Sequence, residues 1–121
     1  MNILLKSITD IKPYSRNPRK KLNLDKVVES IRNYGWQQPI VVDRAGVIIA
    51  GHSRYEAAKI LECKEIPVLI ADLSPEKAKA YRIADNKTNQ YSEWDYSLLN
   101  KEFTDLLDIN MDLEMTGFDT K

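Results

Sequence analysis

The chain has one cysteine and one histidine among 121 residues, and this scarcity narrows the chemistry it can perform. A single cysteine, Cys63, excludes an internal disulfide and is typical of proteins from a reducing compartment. No cluster of histidines and carboxylates has the spacing of metal ligands, so the residues do not indicate a metal-dependent nuclease. No apolar run approaches the length of a membrane span, and Lys6 follows the short apolar start too soon for a signal peptide. We therefore expect a cytoplasmic protein without membrane contact.

The chain also lacks an excess of charge of either sign. Its 18 lysines and arginines balance 18 aspartates and glutamates, so its overall field would not hold a polyanion. One segment is locally basic, with five cationic residues and no acid between them: Lys12, Arg16, Arg19, Lys20 and Lys21. This segment predicts weak, sequence-independent DNA binding that fades with salt. An ordinary solvated loop explains it about equally well.

The pattern of apolar residues predicts one domain in which short strands and helices are mixed. The chain length suits a single modest core. Apolar spacing and turn residues predict a strand within 4–11, a helix over 24–34, a hairpin of 40–42 and 47–49, a strand over 66–70 and helices over 75–84 and about 95–107. Pro67 favours an edge position or a strand start. Helical periodicity fades from residue 110, so we expect a domain over 1–109 followed by an acidic tail over 110–121.

The most informative stretch is Gly51-His52-Ser53-Arg54, where a strand gives way to a helix. A turn of this kind leaves free N–H groups at the positive end of the helix dipole, which favours a phosphate or another anion. Arg54 can bind phosphate oxygens in a bidentate manner, and His52 can donate from a ring nitrogen. The alternative is a structural turn in which Ser53 and Glu56 form a capping box. Cations in a first turn oppose the dipole unless an anion compensates them, so the anion site is favoured.

The order of these pieces resembles a known family. The segments that carry the resemblance are Asn17-Pro18-Arg19, Gln38-Pro39-Ile40, Gly46 to Ala58, Ile66-Pro67-Val68 and Ala84-Asp85-Asn86. Together they resemble the ParB N-terminal domain of the ParB/sulfiredoxin fold over residues 3–107. The resemblance implies an α+β fold, with a small mixed β-sheet flanked by helices.

The resemblance also implies a ligand and a role for each polar position. Gly51, His52, Ser53 and Arg54 would wrap the phosphates of a nucleoside triphosphate, with CTP favoured. Asp85 would be a Mg²⁺ ligand, and Asn86 would contact a phosphate or the ribose. Asn17 and Arg19 would lie near the base or the γ-phosphate. The family more often has Glu where this chain has Asp85, so contact with the metal is expected through water. The alternatives are a helix that ends at Asp85-Asn86 and a solvated turn at Asn17 and Arg19.

The family has several branches, and the residues favour some over others. Sulfiredoxins have a catalytic cysteine where this chain has His52, so sulfiredoxin activity is not expected, and Cys63 fits a small packed residue. Chromosome-partition members carry a helix-turn-helix module that this chain does not contain. Residues 82–87, 93–95 and 116–119 look most like the short phage or mobile-element domains associated with DNA methyltransferases.

The resemblance therefore implies a nucleotide-binding domain that serves a DNA-associated system, such as DNA partition or DNA modification. DNA contact is expected to be direct and weak or to run through a partner, such as a DNA methyltransferase, and a homodimer is compatible with the resemblance. Slow Mg²⁺-dependent hydrolysis of the nucleotide is left open. Two alternatives remain, an interaction domain that kept the fold and lost the ligand, and a ParB-like nuclease.

Overall fold

The computed structural model of the protein describes residues 2–15, 24–89 and 95–117, except for the side chains of residues 86–89 and 114. The strands of this part of the chain are β1 (Ile3–Ser7), β2 (Ile40–Val42), β3 (Ile48–Ala50) and β4 (Glu65–Ile70). The helices are α1 (Leu24–Tyr34), α2 (His52–Ile60), α3 (Pro75–Asn89) and α4 (Tyr96–Asp108). Two short 3₁₀ helices cover Ile8–Asp10 and Leu113–Thr116.

The four strands form one mixed sheet in the order β1-β4-β2-β3. The β1–β4 and β2–β3 pairs are antiparallel, whereas β2 and β4 run parallel. A parallel pair requires a crossover connection, and here the chain between β2 and β4 includes β3 and α2. The expected α+β architecture, a small mixed sheet flanked by helices, is confirmed.

The core fixes the start of α2 against the sheet. Five side chains from β2, β3 and β4 are almost fully buried: Ile40, Val42, Ile48, Ile66 and Val68. Tyr55 and Ala58 of α2 pack into the same cluster, and α1 packs against α2. Since β3 ends at Ala50 and α2 begins at His52, the turn between them is held on both sides by buried elements.

Several elements differ from the sequence-based expectations. The first strand ends at Ser7, because the Ser7 hydroxyl accepts from the Thr9 N–H and starts a 3₁₀ turn. Pro67 does not mark an edge, since β4 lies between β1 and β2, and it is the third residue of β4 rather than its start. The helix α3 does not stop at Asp85 but continues to Asn89. Among the described residues, no helix is long and apolar enough to cross a membrane.

Candidate functional site

The turn at Gly51 has the geometry of an anion site. Gly51 is the N-cap of α2 with φ +106°, a left-handed conformation that glycine adopts without steric cost. The first hydrogen bond within the helix runs from the Tyr55 N–H to the Gly51 carbonyl, at 2.9 Å. The N–H groups of residues 52–54 therefore precede the hydrogen-bonded ladder, and no side chain caps them. These donors and the helix dipole together favour a negative charge at the turn.

A capping box at Ser53 is not formed. Because α2 begins at His52, Ser53 already lies inside the first turn and cannot be the N-cap. Glu56 instead lies 3.3 Å from Lys59. The structural alternative that the sequence offered for this turn is therefore wrong.

Arg54 folds back over the turn rather than pointing into solvent. Its Nη2 donates to the Pro39 carbonyl at 2.9 Å, and its Nη1 donates weakly to Gln38 Oε1 at 3.4 Å. Its Nε is buried and has no acceptor among the described residues. Burial lowers the pKa of Arg54 below its ordinary value, an effect that the nearby Asp85 carboxylate partly opposes. Arg54 is thus a cation held close to the free N–H groups with part of its hydrogen-bonding capacity unused.

Gly51 and Arg54 depend on each other sterically. A Cβ at residue 51 would lie 3.0 Å from Arg54 Nη2 and 3.3 Å from the Ile40 Cα. The absence of a side chain at Gly51 therefore permits both the left-handed turn and the close approach of the guanidinium.

One ring nitrogen of His52 is already engaged within the protein. Its Nε2 accepts a hydrogen bond from the Tyr14 backbone N–H at 3.2 Å, so this nitrogen is not a donor, and the proton of the neutral ring is assigned to Nδ1. Burial and the positive charge of Arg82 lower the pKa of His52, while Glu56 acts in the opposite direction. His52 is therefore a neutral ring that ties the turn to the loop at Tyr14, and only its Nδ1–H could donate to a ligand.

The expected metal ligand lies on the same side of the molecule as Arg54. Asp85 is half-buried on α3, and its charge acts on Arg54. Asn86 follows it within the helix, and its side chain lies outside the described residues. Since α3 continues to Asn89, the alternative in which Asp85-Asn86 ends a helix is wrong. No group of three or more His, Cys, Asp or Glu side chains that could hold a metal occurs among the described residues.

A cavity of about 660 Å³ adjoins the turn and was not predicted. Ser53 and Arg54 form one wall, and Gln37 and Gln38 lie beside them. The remaining walls are formed by residues from α1, from the loop after it and from the C-terminal 3₁₀ helix, including Val27, Ile31, Tyr34, Trp36, Met115 and Gly117. The Tyr34 hydroxyl donates to the Met115 carbonyl and fixes this last segment in place. A volume of this size suits a small organic ligand.

The sequence did not predict that a charged residue, Arg82, is buried near the turn. Arg82 of α3 is only 5% exposed and donates to two carbonyls and a carboxylate, and its guanidinium lies 4.2 Å from the Tyr14 ring centre. In the sequence it was one arginine of a segment that resembled the family, without a role of its own. Nothing in a single sequence marks an arginine as buried, because most arginines are solvated.

Most of the predicted DNA-binding and base-side residues lie outside the described residues: Arg16, Asn17, Arg19, Lys20 and Lys21. Lys12 is described, and its side chain is exposed, while its backbone pairs with Gly46 and Ile48. Cys63 is half-buried and packs against the core, which agrees with the interpretation of a small packed residue.

Comparison with known proteins identifies the family. Residues 2–87 match the model of the ParB N-terminal domain. The ParB-like nuclease domain-containing protein YnaK of Escherichia coli is 35% identical over 72 residues, which are 58% of this chain and 83% of YnaK. The probable chromosome-partitioning protein ParB of Rickettsia bellii is 39% identical over 83 residues. That match covers 66% of this chain but only 29% of the Rickettsia protein.

Solved structures show the same fold. The C-terminally truncated ParB of Caulobacter crescentus, complexed with CTP-γ-S, matches with a TM-score of 0.79 and 22% identity, over 96% of this chain and 69% of that one. Sulfiredoxin of Arabidopsis thaliana matches with a TM-score of 0.55 and 25% identity, over 67% of this chain and 97% of its own. With the family model covering most of the chain, these likenesses lead to one conclusion: the chain belongs to the ParB N-terminal domain family, with the ParB/sulfiredoxin-like fold.

Proposed function

We propose that this chain binds a nucleoside triphosphate, with CTP favoured, at the N-terminus of α2. The proposal rests on one observation, that three features lie next to one another: the uncapped N–H groups after Gly51, the Arg54 guanidinium and the 660 Å³ cavity. The N–H groups and Arg54 suit phosphate oxygens, and the cavity suits the rest of the ligand. The CTP-γ-S in the Caulobacter ParB, a protein of the same fold, supports the choice of CTP.

Magnesium would enter with the nucleotide. Mg²⁺ is commonly bound through one or two carboxylates together with phosphate oxygens and water, so Asp85 alone would be sufficient on the protein side. The charge of Asp85 acts on Arg54, which supports the assignment of this carboxylate to the metal. When bound, the metal would neutralise phosphate charge, and the protein would contribute Asp85, Asn86 and the turn. Asn17 and Arg19, which the resemblance assigns to the base or the γ-phosphate, lie outside the described residues.

The proposed activity is binding rather than hydrolysis. Phosphoryl transfer to water needs a group that orients the attacking water and charge stabilisation beyond the ground state. The one imidazole of the chain has its Nε2 occupied by the Tyr14 N–H, which removes the usual acceptor for a proton from water. The described residues therefore supply phosphate binders and no evident base.

The system that this domain serves is proposed to act on DNA, in DNA partition or DNA modification. The basic segment that begins at Lys12 would give weak contact with phosphates, independent of sequence, so specificity would come from a partner such as a DNA methyltransferase or from another domain. If all five basic residues contacted phosphates, the logarithm of the affinity would fall against the logarithm of salt concentration with a slope of about −4 to −5.

A thermal-shift panel of nucleoside triphosphates, each with and without Mg²⁺, tests the proposal, because a ligand that binds only the folded state raises its stability. We expect CTP with Mg²⁺ to raise the melting temperature, and Arg54→Met to abolish most of the rise. Arg44→Met is the matched control, since Arg44 is an exposed arginine paired with Asp72. No shift with any triphosphate at millimolar concentration would contradict nucleotide binding.

One observation favours a second candidate function, an interaction domain without a ligand. In the edge strand β1, the side chains of Ile3 and Leu5 are 59% and 71% exposed to solvent, which is unusual for apolar residues of a strand. Such an edge could pair with a second copy or with another protein. Concentration-dependent dimerisation together with an absent nucleotide response would favour this candidate over the first.

A further inference from the structure

Arg82 makes an unusual set of contacts for a helix residue. It is the only charged side chain that is buried among the residues described. Its Nε donates to the Ile48 carbonyl at 2.9 Å, and its Nη2 donates to Asp43 at 3.0 Å and to the Val47 carbonyl at 3.3 Å. These contacts attach α3 to the β2–β3 hairpin, directly before the strand that leads to Gly51.

The same guanidinium reaches a third element. It lies over the ring of Tyr14, 4.2 Å from the ring centre, within the range of a cation–π contact. The backbone N–H of Tyr14 donates to Nε2 of His52, in the first turn of α2. A continuous set of contacts therefore runs from α3 through Arg82 and Tyr14 to His52.

Packing alone would not require an arginine at this position. A buried guanidinium loses its hydration, and an apolar side chain of similar length would hold α3 on the sheet without that cost. Ala78, one turn earlier, already packs against the interior with no polar contact. The contacts that an arginine supplies at residue 82, and that an apolar residue would not, include those to Asp43, to the two carbonyls and to the Tyr14 ring.

We propose that Arg82 is a positioning residue for the nucleotide site, holding the Tyr14 loop against His52 and holding α3 so that Asp85 faces Arg54. This inference rests on the proposed function, because it assigns Arg82 a task toward the same ligand. Arg82 does not itself touch the ligand. Asp85 lies one helical turn after Arg82, so movement of α3 moves the proposed metal ligand.

The Nδ1–H tautomer of His52 is a readout of the Tyr14 contact, whereas the His52 pKa responds directly to the charge of Arg82. The positive charge of Arg82 adds to burial in lowering the pKa of His52, which keeps Nε2 free to accept from Tyr14. His52 is the only histidine of the chain, so its ring signals are unambiguous in NMR spectra. The tautomer and the titration of this ring therefore report whether Arg82 and Tyr14 are in place.

The test compares the full-length chain with Arg82→Met, Arg82→Lys and Tyr14→Leu, and uses Arg44→Met as the control. We expect Arg82→Met to return the His52 pKa toward its ordinary value and to lower the fraction of the ring in the Nδ1–H tautomer. We also expect it to reduce the affinity for CTP with Mg²⁺ about tenfold or more. Arg82→Lys should keep the low pKa of His52, because the charge remains, with an intermediate loss of affinity. Tyr14→Leu alters the half-buried ring and keeps the backbone N–H, so it serves if Arg82→Met does not fold.

Two results would overturn the inference in different ways. If folded Arg82→Met or Tyr14→Leu retains both the His52 signals and the CTP affinity of the unmodified chain, Arg82 is a structural residue only. If the variants lose affinity while the His52 ring is unchanged, the route through Tyr14 and His52 is wrong. A chain that binds no CTP refutes the proposed function and with it the ligand part of this inference. In that case a change of the His52 tautomer in Tyr14→Leu, which keeps the charge of Arg82, shows that the contact between the Tyr14 loop and the turn exists.

Discussion

Replacing Arg54 by methionine separates a ligand-binding residue from a structural one. The substitution removes the hydrogen bonds to Pro39 and Gln38, of which the first, at 2.9 Å, has good geometry. A hydrogen bond from a charged group contributes about 1.5–3 kcal/mol. The substitution also removes a partly buried guanidinium whose Nε lacks an acceptor, and an unsatisfied buried donor costs about 1–3 kcal/mol. The two contributions oppose each other, and their mid-range values differ by less than about 1 kcal/mol, which is the change in the free energy of unfolding that we expect.

The effect on the ligand should be much larger. Each phosphate oxygen that Arg54 binds contributes on the scale of a charge-assisted hydrogen bond, about 1.5–3 kcal/mol. This range corresponds to a loss of affinity of roughly 10- to 150-fold. We therefore expect Arg54→Met to melt within about 4 °C of the unmodified chain and to bind CTP with Mg²⁺ at least tenfold more weakly.

Two measurements test this prediction for Arg54→Met: thermal unfolding without ligand and a calorimetric titration with CTP and Mg²⁺. Arg44→Met should leave both unchanged, since its ion pair with Asp72 is exposed. A large drop in melting temperature combined with unchanged affinity would refute the reasoning, because Arg54 would then hold the Pro39 loop and have no role toward an anion.

Three further predictions follow from the turn and the cavity. Gly51→Ala should lower the free energy of unfolding by about 1–3 kcal/mol in urea titrations, because φ is +106° and the added Cβ would meet Arg54; an unchanged midpoint would contradict this. Because the pKa of His52 is lowered by burial and by Arg82, stability should fall as the pH drops below about 6.5, where the unfolded state takes up the proton more readily. Equilibrium unfolding at several pH values measures this, and His52→Gln, which keeps an acceptor for Tyr14, should remove that part of the dependence. Tyr34→Phe should speed amide hydrogen exchange at residues 115–117, since it removes the hydroxyl that holds the Met115 carbonyl; equal exchange rates would show that other contacts hold this segment.

The sequence predicted the fold where apolar periodicity is strong. The helix α1 has the predicted bounds, because its apolar residues recur on one face, and the hairpin of β2 and β3 follows from its turn residues. The predicted end of α3 was wrong, because the low helix propensity of Asp85 and Asn86 suggested that the helix stops before them. Their neighbour Arg82 anchors that helix to the hairpin through contacts with residues far away in sequence.

The candidate site was predicted in part for a similar reason. The glycine, the free N–H groups and Arg54 are local features of four consecutive residues, so the sequence alone identifies them. The contact from Tyr14 to His52 spans 38 residues, and the contact from Tyr34 to Met115 spans 81. Contacts of that separation depend on how the elements pack, which periodicity does not specify. The acceptor role of His52 and the cavity therefore required the structure.

The most direct test of nucleotide binding at the α2 turn is a crystal structure of this chain grown with CTP-γ-S and Mg²⁺. We predict that phosphate oxygens lie within hydrogen-bond distance of the N–H groups of residues 52–54 and of the Arg54 guanidinium, with Asp85 facing the metal. A nucleotide bound elsewhere, or a turn without phosphate at saturating nucleotide, would contradict the account.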